Sequence, residues 1–162
     1  MLAEALGGFI FICWALFAVS VWSCTRSVLA QLRFLTTVGQ IIGTLTLALD
    51  RDPYILTGLA AEHTAEDYSN ADSRFLTYLV FAIAMLVIEL LLLLQGYSIF
   101  NAGKNSLHCC LHSAGCVALL GVAAGESHFG LFTPLFWTTN VPALLLEGAS
   151  ILEIVWLHSA VY

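Results

Sequence analysis

The chain has 162 residues, of which 60% are hydrophobic and only 10% are charged, too little polar surface for a water-soluble domain. The formal net charge of −6 leaves no basic patch that could neutralise phosphates, which excludes nucleic acid as a partner. The composition therefore predicts an all-α fold, a polytopic bundle of about five transmembrane helices surrounded by membrane lipids.

The first two apolar runs predict two spans joined by a short turn. Residues 5–24 carry no charge, and they follow Glu4 where a secretory signal would have basic residues, so we expect a retained helix. The second span runs from Val28 to Leu49, with Arg33 near its start. Arg33 either extends to the headgroups or pairs with an acidic group inside the bundle. The predicted division is therefore 1–27, an extra N-terminal helix and turn, and 28–162, a four-helix transmembrane domain.

The next segment, residues 50–74, is the longest polar stretch and is predicted to be an acidic, solvated loop. Pro53 and Gly58 interrupt regular structure early in it. The run Thr64-Ala65-Glu66-Asp67 has the form of a capping box, which predicts a helix that begins there and leads into the third span.

Three more apolar runs complete the predicted bundle. The third contains one charge, Glu89, and the fourth is rich in small residues, which lets a neighbouring helix approach closely. Pro142 removes a backbone hydrogen bond, so we expect it to kink the fifth helix near residues 138–140. The predicted spans are residues 75–97, 107–125 and 131–157, with a connection at 96–106.

Basic residues near the ends of the five spans indicate the orientation of the chain. Three fall on the side of the C-terminus and two on the other side, which places the C-terminus in the cytoplasm by the positive-inside rule. The three are Arg26, Arg33 and Lys104, and the two are Arg51 and Arg74.

Four ionisable side chains lie in the same half of the bilayer, within about two helical turns of one another in depth: Arg33, Glu89, His112 and Glu147. A carboxylate facing lipid is costly, so we expect a polar cluster in which Arg33 or His112 is the partner of Glu89 and Glu147. Such a cluster sets the register of the helices, whereas the alternative is a proton or ion path through the two carboxylates.

A metal or cofactor site would need ligands from a second span. His108 and His112 are spaced i, i+4, and Cys109, His112 and Cys116 share a helix face, but no other span contains a matching ligand motif. We therefore predict no metal and no cofactor. The chain also contains no nucleophile elbow, phosphate loop or HExxH motif, which argues against an enzyme and a small-molecule substrate.

From Arg33 onward, a collinear series of short motifs resembles the transmembrane protein 107 family, which are four-span proteins of the ciliary transition zone. The resemblance covers about four-fifths of the chain, with residues 5–24 extra to the four-span pattern. The matching motifs are Arg33-Phe34-Leu35-Thr36, Asp50-Arg51-Asp52, Thr64-Ala65-Glu66-Asp67-Tyr68 with Asp72, Glu89-Leu90 before Gly96, Ser98-Ile99-Phe100-Asn101, His112 with Ala114, Val117-Ala118-Leu119, Phe136-Trp137, and Pro142-Ala143 with Glu147.

The resemblance implies a non-enzymatic scaffold of the transition zone, in the Meckel syndrome module, that limits which membrane proteins enter the cilium. Its partners would be other integral membrane or membrane-associated proteins. They would contact the lipid-facing ridges, the acidic segment and the connection at 96–106. The alternatives are a small accessory subunit of a mitochondrial or thylakoid membrane complex, and a proton or ion carrier.

Overall fold

A computed structural model describes residues 26–96, 98–99, 101–124 and 129–161, so the predicted span at residues 5–24 lies outside the described residues. Within the described ranges every regular element is helical, which confirms the all-α prediction. Four helical segments are long and apolar enough to cross a membrane: Val28–Leu49, Ala65–Gln95, Ala102–Ala123 and Phe132–Trp156.

The predicted acidic loop is largely helical, which corrects the prediction for residues 50–74. Helix α1 spans Arg26–Leu49 and is followed by a short helix α2, Asp52–Gly58, with proline in its first turn, where no backbone N–H is needed. Ile55 of α2 is fully buried against the ends of the membrane helices. This burial explains why the segment folds back onto the bundle instead of remaining a solvated loop.

A salt bridge outside the apolar core also holds this segment against the rest of the protein. Arg51 Nε donates to the Asp72 carboxylate, and this hydrogen bond raises the pKa of the guanidinium above its ordinary value. Tyr68 donates its hydroxyl to Asp52 Oδ1 at 2.6 Å. Both contacts join the region of α2 to the helix that follows.

Helix α3, Ala65–Gln95, begins ten residues before the predicted third span. The capping box is present, because Thr64 Oγ1 accepts from Asp67 N at 3.1 Å and the Asp67 carboxylate accepts from Thr64 N at 2.9 Å. The prediction of a helix starting at this motif is confirmed, and one continuous helix contains both the acidic turn and the apolar span.

The C-terminus of α3 requires a glycine. Gly96 has φ +85°, the left-handed conformation that ends many helices and that side chains with a Cβ rarely adopt. We expect Gly96→Ala to lower the free energy of unfolding by about 1–2 kcal/mol, measured by denaturant titration in detergent micelles. Gly103→Ala is the matched control, since a Cβ there meets only an ordinary contact, 3.5 Å from Asn101 Oδ1. Equal losses in the two variants would contradict this explanation.

Helix α4, Ala102–Ala123, also begins earlier than predicted, and its N-cap is Asn101, whose Oδ1 accepts from Lys104 N at 3.1 Å. Asn105 and Ser106, which the sequence places in the connection at 96–106, therefore lie within the helix and are fully buried. The C-terminal part of that connection is thus helical and partly buried in the bundle.

The last span is interrupted where Pro142 predicts. A 3-10 turn, Phe129–Leu131, and helix α5, Phe132–Leu135, lead into a π-helical turn, Phe136–Asn140, before helix α6, Val141–Val161. Thr138 and Thr139 donate their hydroxyls to the carbonyl oxygens of Pro134 and Leu135, at 2.8 and 2.9 Å. The π-helical turn lies where the kink is predicted, and these hydroxyls satisfy carbonyl groups in the turn preceding it.

The bundle has an apolar half and a polar half. Helix α1 packs chiefly on α4 and α3. Around α2 the core is apolar and includes an edge-to-face pair of rings, Phe75 and Phe132, 5.6 Å apart. The apolar core comprises Leu47, Ile55, Phe75, Leu79, Ala82, Leu119, Val122, Phe132 and Phe136. Polar side chains fill the half near Gly96 instead.

Candidate functional site

The buried polar side of α1 is a stripe at helical spacing. Arg33, Thr37, Gln40 and Thr44 follow one another at intervals of four, three and four residues, and each is 1% exposed. The two threonine hydroxyls donate to carbonyl oxygens of α1 itself, one turn back. Only Arg33 and Gln40 therefore extend to other helices, and each begins a separate chain of contacts.

The first chain joins Arg33 to Glu147 of α6, and the guanidinium Nη2 donates to Glu147 Oε1. Its Nη1 donates to Ser98 Oγ at 2.7 Å and to Asn105 Oδ1 at 3.0 Å. Ser98 Oγ donates in turn to the same Glu147 oxygen at 2.9 Å. The alternative in which Arg33 extends to the headgroups is wrong, because the side chain is 1% exposed and points inward.

The burial of Arg33 also changes the argument about orientation. A charge paired inside the bundle is not available at the membrane surface, so two basic residues remain on each side, Arg26 and Lys104 against Arg51 and Arg74. Lys104 itself binds Glu153 Oε2 at 2.7 Å. The charge count therefore no longer favours either orientation.

The second chain begins at Gln40 and reaches Glu89 of α3 through His112 of α4. Gln40 Nε2 donates to Asn140 Oδ1 at 2.8 Å, and Gln40 Oε1 lies 2.7 Å from His112 Nδ1. On the other side of the ring, His112 Nε2 lies 2.9 Å from Glu89 Oε2. This chain thus connects α1, the π-helical turn, α4 and α3.

His108 lies between the two chains. Its Nδ1 is 3.8 Å from Glu89 Oε2, its Nε2 is 3.9 Å from Glu147 Oε1, and its ring stacks on His112 with centroids 5.8 Å apart. The side chain is fully buried. Among the described residues, neither ring nitrogen has a hydrogen-bond partner.

All four residues that the sequence singles out thus lie in one contiguous buried region, with Arg33 beside Glu147 and His112 beside Glu89. Sequence reasoning did not place Ser98, Asn105 or His108 in this cluster, and it considered His108 only as a metal ligand beside His112. A usable signal was present, because Asn105, His108 and His112 recur at i, i+3 and i+7 and so occupy one face of α4. In chemical terms the region is a hydrogen-bonded and ionic connection among four membrane helices.

Comparison with known proteins gives the family. The family model described as "TMEM107: Transmembrane protein" matches residues 29–151, well over half of the chain. The chain belongs to the transmembrane protein 107 family. The matched range contains Arg33, Glu89, His112 and Glu147, and it confirms the resemblance inferred from the collinear motifs.

Individual relatives in the transmembrane protein 107 family match over a shorter range. The chain is 34% identical to "Transmembrane protein 107" of Danio rerio over 91 residues, which are 56% of this chain and 67% of that protein. It is 30% identical over 87 residues to the proteins of the same name from Mus musculus and Homo sapiens, covering 54% of this chain and 62% of each. The match thus spans about two thirds of these relatives. No solved structure matches the chain.

Proposed function

We propose that this protein is a non-enzymatic membrane scaffold of the ciliary transition zone, where it helps to limit the composition of the ciliary membrane. The observation that carries the proposal is membership of the transmembrane protein 107 family across residues 29–151. The contacts of the buried polar side chains support this proposal. These side chains bind one another inside the bundle, and such contacts stabilise the arrangement of the helices.

In this proposal the polar cluster of Arg33, Glu89, His112 and Glu147 holds the four helices in one register. Interhelical hydrogen bonds in membranes contribute about 0.6–2 kcal/mol each, so a connected set of them can keep the four helices associated. Apolar packing against lipid tails provides little driving force by comparison, because the tails are as apolar as the side chains they replace. The cluster is thus the feature that makes the bundle a fixed shape for partners.

Partners would bind on two surfaces. Large apolar side chains are exposed on every spanning helix, for example Leu35, Leu94, Leu120 and Leu145 at 64–68% exposure, and these ridges suit lipid or the helices of another membrane protein. Two exposed carboxylates, Glu62 just before α3 and Glu66 in its first turn, suit a basic partner. The connection at 96–106 offers less surface, since Ser98, Asn105 and Ser106 are buried.

Localisation in ciliated cells tests the proposal. A tagged full-length chain, expressed near its natural level, is expected at the base of the cilium and to copurify with other transition-zone membrane proteins under mild detergent. Signal confined to the mitochondrial or thylakoid membrane would contradict it and favour an accessory subunit of a bioenergetic complex. Glu62→Gln with Glu66→Gln tests the acidic surface, with Glu153→Gln as the control carboxylate on the opposite side.

A further inference from the structure

Three ligand atoms converge between α3 and α4. Glu89 Oε2 lies 2.9 Å from His112 Nε2 and 3.8 Å from His108 Nδ1, and one donor atom of each side chain lies within 4.8 Å of the other two. All three side chains are at most 1% exposed. Ligand atoms bound to a tetrahedral ion at 2.0–2.1 Å are about 3.4 Å apart. The first of the two separations is shorter than this value and the second is longer.

The hydrogen bond to Gln40 determines how His112 faces Glu89. Gln40 Nε2 donates to Asn140, so its carbonyl oxygen is the atom that meets His112 Nδ1, which must then be the protonated nitrogen. In the neutral ring, Nε2 therefore points a lone pair at the Glu89 carboxylate across 2.9 Å. Two lone pairs at that distance repel each other unless a positive species lies between them.

A proton and a metal ion both meet that requirement, but they differ in what they leave unpaired. A proton shared by Glu89 and His112 leaves His108 buried with no hydrogen-bond partner among the described residues. A metal ion pairs the carboxylate and both imidazoles at once. We propose that Glu89, His108 and His112 bind one transition-metal ion of the Zn²⁺ type and so cross-link α3 and α4 inside the membrane.

The ligand types select the class of metal. Two imidazoles and one carboxylate suit Zn²⁺ and its first-row neighbours, whereas Mg²⁺ and Ca²⁺ require oxygen ligands. The carboxylate of Glu89 offsets part of the ion's charge within the membrane. Gln40 is an outer-shell partner, because a ligating histidine commonly donates its second N–H to a carbonyl oxygen.

The sequence predicts no metal because the histidine pair on α4 has no second ligand motif elsewhere. The third ligand, Glu89, reaches the histidine pair only through the tertiary fold, in which α1 packs against both α3 and α4. A single carboxylate in a long apolar span forms no recognisable motif.

Metal analysis of the purified full chain in lipid nanodiscs tests the proposal. After incubation with Zn²⁺ and removal of the excess, we expect one ion per chain by mass spectrometry and a rise in melting temperature that Mg²⁺ does not reproduce. Glu89→Gln and His108→Gln should each lose the bound ion. Gln40→Met should weaken binding about 10–100-fold without abolishing it. The control variants His63→Gln and Glu153→Gln, both at exposed positions, should bind fully.

Two results would overturn the proposal: folded wild-type protein that retains no Zn²⁺, or Glu89→Gln protein that retains as much as the wild type. If the ligand variants fail to fold, Co²⁺ bound to the wild-type chain decides. We expect the intense visible absorption of a tetrahedral nitrogen and oxygen site, and a weak octahedral spectrum would refute it.

Discussion

Replacing Arg33 with methionine is expected to lower the free energy of unfolding by about 3–5 kcal/mol, because the Glu147 carboxylate then stays buried without its cation. Ser98 and Asn105 lose their shared donor as well. Reversible unfolding in mixed micelles, followed by circular dichroism, measures the change.

A double variant separates the ion pair from simple packing. Arg33→Met combined with Glu147→Met removes both charges, so most of the lost stability should return. Lys104→Met is the matched control, because its partner Glu153 is 63% exposed, and a surface pair contributes at most about 1 kcal/mol. If Arg33→Met were as mild as Lys104→Met, the buried pair would not be what holds α1 to α6.

Gly115→Ala is expected to lower the free energy of unfolding by about 1–3 kcal/mol, because the buried side-chain amide of Gln40 already fills the space that a methyl group would need. A Cβ on Gly115 would lie 2.6 Å from Cδ of Gln40. The Gln40 side chain would have to move, and with it the contacts to His112 and Asn140. Thermal melting in nanodiscs measures the loss of stability.

Gly148→Ala is the matched control within another spanning helix. Among the described residues, a Cβ there meets no atom within 4 Å, and alanine is a better helix former than glycine by about 1 kcal/mol. We therefore expect unchanged or increased stability from Gly148→Ala. Equal destabilisation by both substitutions would show that contact with the Gln40 side chain is not the cause.

The four described spans were predictable because an apolar run needs a minimum length to cross the hydrocarbon layer, but the ends of their helices were not. Hydropathy falls at Arg74, yet α3 extends back to Ala65, since a helix satisfies its own backbone hydrogen bonds in water as well as in lipid. The capping box was the better guide to that end. Likewise α4 begins at Ala102, five residues before the predicted span.

The sequence indicated how deep each ionisable residue lies in the bilayer, but it did not indicate how each helix is rotated about its own axis. Counting residues placed Arg33, Glu89, His112 and Glu147 in one layer, but which acid faces which base depends on how each helix turns about its axis. Packing decides that rotation, for example where Gly115 admits Gln40 and so directs its amide to His112. The choice between Arg33 and His112 as partners of the acids therefore needed coordinates.

The unbroken course of α3 has a mechanical consequence. Its 31 residues measure about 46 Å, against about 30 Å of hydrocarbon, so about three turns extend beyond the acyl layer as a stiff extension. The capping box and the Arg51–Asp72 bridge brace this extension against bending. A molecule bound to this extension would be held at a fixed height above the bilayer and in a fixed direction around the helix axis.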